Sequence, residues 1–201
     1  MKQDFIINKF KTAAKRPQRG DDDLNPGMLP VRHPLTPAAV LVPLVLRPKG
    51  VSLLLTKRTA HLNDHAGQIS FPGGRVDATD ENRRATALRE TEEEVGIKAR
   101  HIDLVGNLDI YVTRTGFEVT PVVGLLTPPF KQKADPFEVA EIFEVPLEFF
   151  MNRDNHKRHA YDFNGTTRHF YAIPYDDYYI WGATAGMIVN LVDNLSESEI
   201  S

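Results

Sequence analysis

The 201-residue sequence contains no cysteine, and this absence excludes disulfides, thiolate metal sites and a cysteine nucleophile. It also lacks any uncharged apolar run near the roughly 20 residues that a membrane span needs. Its formal net charge of -3 lacks the basic excess that is typical of general nucleic-acid binders. We therefore expect a soluble, cytoplasmic protein that binds neither nucleic acid nor membranes.

The composition is that of an ordinary globular protein with one core, because 41% of the residues are hydrophobic and 25% are charged. Residues 1–37 are predicted to form an N-terminal arm. In this arm Phe5, Ile6 and Phe10 indicate a short helix, and a stretch rich in proline, glycine and aspartate follows. Residues 38–201 are predicted to form the main domain.

Apolar runs separated by turn residues predict a mixture of strands and helices. The runs at 38–46 and 51–56 flank Pro48-Lys49-Gly50 and predict a hairpin of buried strands. Further strands are predicted at 102–108, 110–113, 119–126, 138–145, 169–175 and 178–181, with a short helix at 146–150 and a closing helix at 184–195. Because strands and helices do not alternate strictly, we expect an α+β or sandwich-like α/β fold.

The best-defined helix follows Phe71-Pro72-Gly73-Gly74, a segment whose proline and glycines preclude regular structure and allow unusual backbone angles. Thr79 or Asp80 is predicted to cap this helix at its start, and Gly96 is predicted to end it in a left-handed conformation. Its core-facing stripe is predicted to contain Ala85, Leu88 and Val95.

Glu90, Glu93 and Glu94 are predicted to share the side of the helix opposite that stripe. Like charges at these spacings each destabilise a helix by about 0.2–0.5 kcal/mol unless something neutralises them. Carboxylate oxygens with no sulfur or paired histidine nearby suit Mg²⁺ first and Mn²⁺ second. The alternative interpretation is a solvated acidic face, which is what most charge runs are.

The positions of several residues around this helix resemble the Nudix box, written G-x5-E-x7-R-E-U-x-E-E-x-G-U with U apolar. The matching residues are Gly74, Arg89, Glu90, Glu93, Glu94, Gly96 and Ile97. The resemblance implies a Nudix-like α/β/α sandwich, in which a mixed β-sheet lies between helices and a single catalytic helix follows a Gly-rich loop. It also implies an enzyme that hydrolyses a pyrophosphate bond.

The match to the box has two departures. Counting forward from Gly74 puts Asp80 at the first glutamate position, whereas counting back from Arg89 puts Glu81 there. Thr91 occupies a position where the box has an apolar residue. The roles of Asp80 and Glu81 therefore stay open.

The resemblance also implies roles for the residues of the helix. Glu90 and Glu94 are expected to be the principal metal ligands, with Glu93 as a further ligand or a water-positioning residue, and Arg89 is expected to orient a glutamate. We therefore expect Glu90, Glu93 and Arg89 to be catalytic. A bound Mg²⁺ neutralises phosphate charge and lowers the pKa of a bound water, and the glutamate that accepts the proton stays open.

Residues 54–74 are similar to the signature of the coenzyme A pyrophosphatase branch of this family, written L-L-T-x-R-[SA]-x3-R-x3-G-x3-F-P-G-G. Segments 116–124 and 180–185 are also similar to that branch. Thr59 replaces the Ser or Ala of the signature, and Asn63 replaces its second Arg, which removes a cation suited to phosphate. The residues expected to bind substrate are Arg58, His65, Phe71, Gly73 and Gly74.

Three hypotheses about function follow. The first is Mg²⁺-dependent hydrolysis of coenzyme A or its derivatives to 3′,5′-ADP and 4′-phosphopantetheine, or acyl-phosphopantetheine. The second is a Nudix hydrolase of another nucleoside diphosphate derivative, of the ADP-ribose or NADH type, which Asn63 favours. The third is a non-catalytic nucleotide-binding module, which the crowded glutamates disfavour. Each implies a small nucleotide as partner, and a homodimer is kept as a hypothesis.

Overall fold

A computed structural model describes residues 2–12, 19–27, 33–60, 67–163 and 165–196. The helices are α1 (Gln3–Thr12), α2 (Arg83–Val95), α3 (Leu147–Met151) and α4 (Gly182–Ser196). The strands are β1 (Arg19–Gly20), β2 (Thr36–Arg47), β3 (Gly50–Arg58), β4 (Ile69–Ser70), β5 (Gly73–Arg75), β6 (Ile102–Asn107), β7 (Tyr111–Val112), β8 (Phe117–Leu126), β9 (Val139–Pro146), β10 (Lys157–Phe163), β11 (Thr166–Tyr175) and β12 (Tyr178–Trp181).

The main sheet has nine strands and is mixed. Strand β2 runs parallel to β8 and antiparallel to β3, and the order is β1-β7-β8-β2-β3-β4, with β5 beside β2, β6 beside β8 and β9 beside β3. A second, antiparallel sheet has the order β10-β11-β12. The predicted hairpin of buried strands is confirmed as β2 and β3.

The main sheet lies between two apolar cores, one on each face. Side chains of β2 alternate between these cores, because successive residues of a strand point to opposite faces: Leu41 packs in the core that contains Val95 of α2, and Val42 packs in the core that contains Ile188 of α4. The second core also contains Phe150 of α3. Helices therefore cover both faces of the sheet, and the expected α+β sandwich is confirmed.

Helix α2 begins later and turns a different face to the core than predicted. Asn82, and neither Thr79 nor Asp80, caps the helix, because its side-chain oxygen accepts the backbone N–H groups of Arg84 and Ala85 at 2.9 and 3.1 Å. Gly96 ends it with φ of +70°, as predicted. Of the predicted stripe only Val95 is buried; the buried residues are Thr86, Ala87, Thr91, Glu94 and Val95.

The described parts of the N-terminal segment contact the main domain. Helix α1 carries Ile6, which is fully buried in the core that also contains α4. Strand β1 pairs with β7, and Asp21 accepts a hydrogen bond from the hydroxyl of Tyr111 at 2.9 Å. Strand β2 begins at Thr36, shortly before the predicted domain start at residue 38. The domain boundary at residue 38 stays a proposal.

In the described residues, no helix has the length and apolar character needed to cross a bilayer.

Strand β10 was not predicted, because its residues are mostly polar and the described side chains are exposed. The Asn164-Gly165 pair that follows it is the strongest short-range signal for a hairpin, and could have located both β10 and the start of β11. The short strands β1, β4 and β5 were also missed, since two or three residues carry no readable period.

Candidate active site

The glycine pair before α2 is required by close packing. A Cβ on Gly73 would overlap the carbonyl oxygen of Ala39 and the backbone of Val40, and Gly73 has φ of +156°. A Cβ on Gly74 would overlap the carboxylate of Glu90. The two glycines thus let β5 lie against β2 on one side and against the helix carboxylates on the other.

Glu94 is a buried carboxylate, with only 5% of its surface exposed. It accepts a backbone hydrogen bond from Gly73. Burial raises its pKa to about 8, and the negative charges of Glu138 and Glu90 act in the same direction. A carboxylate held in this way is costly to keep ionised without a cation, and strongly shifted groups of this kind cluster at functional sites.

Glu90 lies one turn earlier on α2 and is half-buried beside Gly74. Burial raises its pKa, and the Arg89 guanidinium partly offsets this effect. Arg89 donates to Glu90 at 2.8 Å and to Glu93 at 3.1 Å. The side chain of Glu93 is 58% exposed. Among the three predicted glutamates, Glu90 and Glu94 thus lie at the glycine pair, whereas Glu93 lies towards solvent.

Asp80, and not Glu81, is the acidic residue that contacts the helix arginine. Its two carboxylate oxygens accept hydrogen bonds from Nε and Nη2 of Arg89 at 3.0 and 2.9 Å. Its Oδ2 also accepts the hydroxyl of Thr86 at 2.8 Å. The hydrogen bond from Arg89 is the largest of the effects that hold the pKa of Asp80 well below its usual range. Asp80 therefore fixes the guanidinium that in turn holds Glu90.

Glu138 is a further acidic residue near Glu90 and Glu94, and the sequence alone does not identify it. Its charge raises the pKa of both Glu94 and Glu90. The loop before β9 brings it there, because Lys133 and Asp135 donate backbone hydrogen bonds to the last carbonyls of α2 at 2.9 Å. No local motif marks Glu138, since it lies in an ordinary acidic stretch far along the chain from the helix.

Arg58 lies at the end of β3 and is a second cation, besides Arg89, that acts on these carboxylates. Its charge lowers the pKa of Glu94. Its Nε is buried and has no hydrogen-bond partner within the described residues. Its neighbour Thr59 donates its hydroxyl to the carbonyl of Phe137 at 2.8 Å and its N–H to that of Glu138 at 3.0 Å. Thr59 therefore joins the β3 end to the loop that carries Glu138.

Two further residues, Phe71 and His65, are expected to bind substrate. Phe71 is only 2% exposed and packs in the apolar core, and its role in substrate binding stays a prediction. His65 lies outside the described residues.

Thr91 occupies the position where the Nudix box has an apolar residue. It is buried, and its hydroxyl donates to the carbonyl of Ala87 at 2.6 Å, so the hydroxyl has a hydrogen-bond partner within the helix.

The donor set suits a magnesium ion. Within the described residues, no group of three or more histidine, aspartate or glutamate side chains converges as a ready-made metal cage. Mg²⁺ does not need one, because it usually keeps several waters and binds through one or two carboxylates plus substrate phosphates. Glu90 and Glu94, with shifted pKa values and only oxygen donors, fit this requirement.

Comparisons with known proteins show what this chain is similar to. A family model described as the NUDIX domain matches residues 35–165. The chain is 42% identical over 196 residues to the uncharacterized Nudix hydrolase NudL of Cronobacter sakazakii, covering 96% of this chain and 95% of that protein. It is 39% identical over 190 residues to NudL of Escherichia coli O139:H28, covering 94% and 92%. A solved Caenorhabditis elegans Ap4A hydrolase is 23% identical, with a TM-score of 0.46 over 55% of this chain and 80% of that chain.

The chain belongs to the Nudix family. It is a Nudix hydrolase, an enzyme that hydrolyses the pyrophosphate bond of nucleoside diphosphate derivatives. Members of this family generally use a divalent metal such as Mg²⁺.

Proposed function

We propose that this enzyme hydrolyses the pyrophosphate of coenzyme A or its derivatives, giving 3′,5′-ADP and 4′-phosphopantetheine or its acyl form. The single observation that carries the proposal is the position of Arg58. This residue of the coenzyme A branch signature presents a buried, unpartnered Nε beside Glu94, within the described residues. A guanidinium placed there suits a phosphate oxygen of a diphosphate held at Glu90 and Glu94.

Each residue of the group would have a distinct task. Glu90 and Glu94 would hold Mg²⁺, or Mn²⁺, which when bound neutralises the diphosphate and activates water. Arg58 would bind a phosphate oxygen through its Nε. Arg89, itself held by Asp80, would keep the carboxylate of Glu90 against Gly74. Glu93, which is exposed and bonded to Arg89, is proposed to position water.

The backbone at Gly73 and Gly74 is proposed to lie under the diphosphate, because close packing of Gly73 on β2 and of Gly74 on the carboxylate of Glu90 holds this segment beside the proposed metal ligand. His65 remains a proposed substrate residue on the strength of the signature alone. Cytoplasmic location stays a prediction, which the absence of cysteine supports.

A substrate panel tests the choice of substrate. We would assay coenzyme A, ADP-ribose, NADH and dinucleoside polyphosphates with Mg²⁺, and we expect coenzyme A to give the highest kcat/KM. Brisk cleavage of ADP-ribose or NADH without turnover of coenzyme A would establish the second hypothesis, which Asn63 favours. Ligand binding without turnover of any compound, with Mg²⁺ or Mn²⁺ present, would instead support the non-catalytic module.

A further inference from the structure

Strand β10 forms an open edge of the small sheet. It pairs with β11 over Lys157–Phe163, and no other strand of the described residues pairs with it. The side chains from Lys157 to Asp162 are all exposed. A strand edge of this length, with free backbone N–H and C=O groups, is a template for pairing with another chain.

The hairpin geometry determines which backbone groups face the open edge. Phe163 lies opposite Thr166 with two residues between them, and in a turn of this length the closing pair exchanges its backbone hydrogen bonds. Alternate residues of a strand direct these groups to opposite edges. The N–H and C=O groups of Arg158, Ala160 and Asp162 therefore point away from β11.

We propose that two copies of this chain associate by antiparallel pairing of their β10 strands about a two-fold axis at Ala160. In this register all three outward-facing residues meet outward-facing residues: Ala160 meets its own copy, and Arg158 lies opposite the partner's Asp162. Symmetry creates that ion pair twice. A shift by two residues in either direction would move Arg158 away from the partner's Asp162, so charge complementarity selects the centred register.

The two charges cannot satisfy each other within one copy. Arg158 and Asp162 are four residues apart on one strand, which separates them by about 13 Å at about 3.3 Å per residue. Each has a local contact on β11: the guanidinium of Arg158 lies 5.6 Å from the ring centroid of Tyr171, and Asp162 accepts the hydroxyl of Thr167 at 2.8 Å. These contacts hold both side chains on one face of the sheet, as the pairing requires.

On the opposite face of the same sheet, the pairing would add contacts between aromatic side chains. The aromatic rings of this face contact one another, since the ring centroid of the partly buried Phe170 lies 5.8 Å from that of Tyr161 and 5.6 Å from that of Trp181. Tyr161 and Trp181 are 45% and 38% exposed. The centred register places His159 opposite the partner's Tyr161. The aromatic face then continues across the axis, and aromatic cross-strand pairs stabilise a sheet.

Charge reversal of the full chain tests this interface, with sedimentation velocity over a concentration series as the measurement. We expect the wild type to dimerise, and Arg158→Asp and Asp162→Arg each to raise the dissociation constant at least about tenfold. The double variant Arg158→Asp/Asp162→Arg restores opposite charges and should dimerise like the wild type. Lys49→Asp, a reversal at the exposed β2–β3 turn, is the matched control and should leave the dissociation constant unchanged.

Mixing the two single variants provides a second readout. A homodimer of either single variant places like charges opposite each other at both contacts across the axis. In the heterodimer of Arg158→Asp with Asp162→Arg, both contacts join opposite charges. The mixture should therefore form dimers that neither variant forms alone. A monomeric wild type, or single variants that dimerise like the wild type, would overturn the proposal. So would a double variant and a mixture that both stay monomeric.

Discussion

At the scale of single residues, substitution of Glu94 distinguishes a catalytic role of this side chain from a structural one. Its carboxylate is buried and crowded by Glu90 and Glu138. We expect Glu94→Gln to lower kcat at least about 100-fold, as removal of other groups that stabilise a transition state does. The unfolding free energy should not fall, because burial raises the pKa of Glu94 to about 8 and the neutral amide replaces a carboxyl that is largely protonated near neutral pH.

The matched control for this prediction is Glu92→Gln, since Glu92 lies on the exposed side of the same helix and should tolerate the change. Steady-state assays with Mg²⁺ and urea denaturation would measure both quantities for each variant. Turnover by Glu94→Gln at the wild-type rate would contradict the assignment of the site.

The glycine pair gives a second prediction, because the two added methyl groups would meet different neighbours. In Gly74→Ala the methyl group meets the flexible carboxylate of Glu90, so kcat should fall at least about tenfold while stability changes by less than about 1 kcal/mol. In Gly73→Ala it meets backbone of β2, so the unfolding free energy should fall by more than about 2 kcal/mol. Assays and urea denaturation of both variants would show the contrast; equal loss of stability would contradict it.

The site was predictable from sequence where one short segment carries it. Glu90, Glu94 and Arg89 follow the glycine pair within a single motif, so their spacing along one helix was enough to predict that they lie close together. Their individual environments were not predictable, because a helical period cannot show that Glu94 is buried beside Gly73 while Glu93 faces solvent. Glu138 was missed because a long-range loop places it.

At the scale of elements, the start of α2 gives a third prediction. Asn82 caps two backbone N–H groups of the first turn. We expect Asn82→Ala to lower the unfolding free energy by about 1 kcal/mol, the usual loss for an N-cap. Glu81→Ala is the control, because Glu81 is exposed. Urea denaturation of the two variants checks this, and an equal midpoint shift would argue against the cap.

Elements could be predicted where burial imposes a pattern on the sequence. Strands β2 and β3 contain long apolar runs because both faces of the central sheet are covered, and helix α4 is mostly apolar because it packs in one of the two cores. Strand β10 has no such pattern, because its described side chains are solvent-exposed. The cap of α2 was misplaced for a related reason: Thr79, Asp80 and Asn82 are all good capping residues, and only the fold commits Asp80 to Arg89.

At the scale of the whole molecule, the N-terminal helix shares the core of the main domain. Ile6 is fully buried in the same apolar cluster as residues of α3 and α4, whereas its neighbour Phe5 is 42% exposed. Gly106 of β6 lies against Phe10, so the helix also packs on the sheet edge. A core that includes α1 should unfold together with α1 in one cooperative transition.

Ile6→Ala tests this coupling. We expect it to lower the unfolding free energy of the whole chain by about 2–4 kcal/mol, since it leaves a cavity in the shared core, while Phe5→Ala should cost less than about 1 kcal/mol. Far-ultraviolet circular dichroism and tyrosine fluorescence during urea denaturation would report on helix and core together. If Ile6→Ala lost only an early, small helical signal and kept the main midpoint, α1 would be an independent appendage and the boundary near residue 38 would mark a true domain edge.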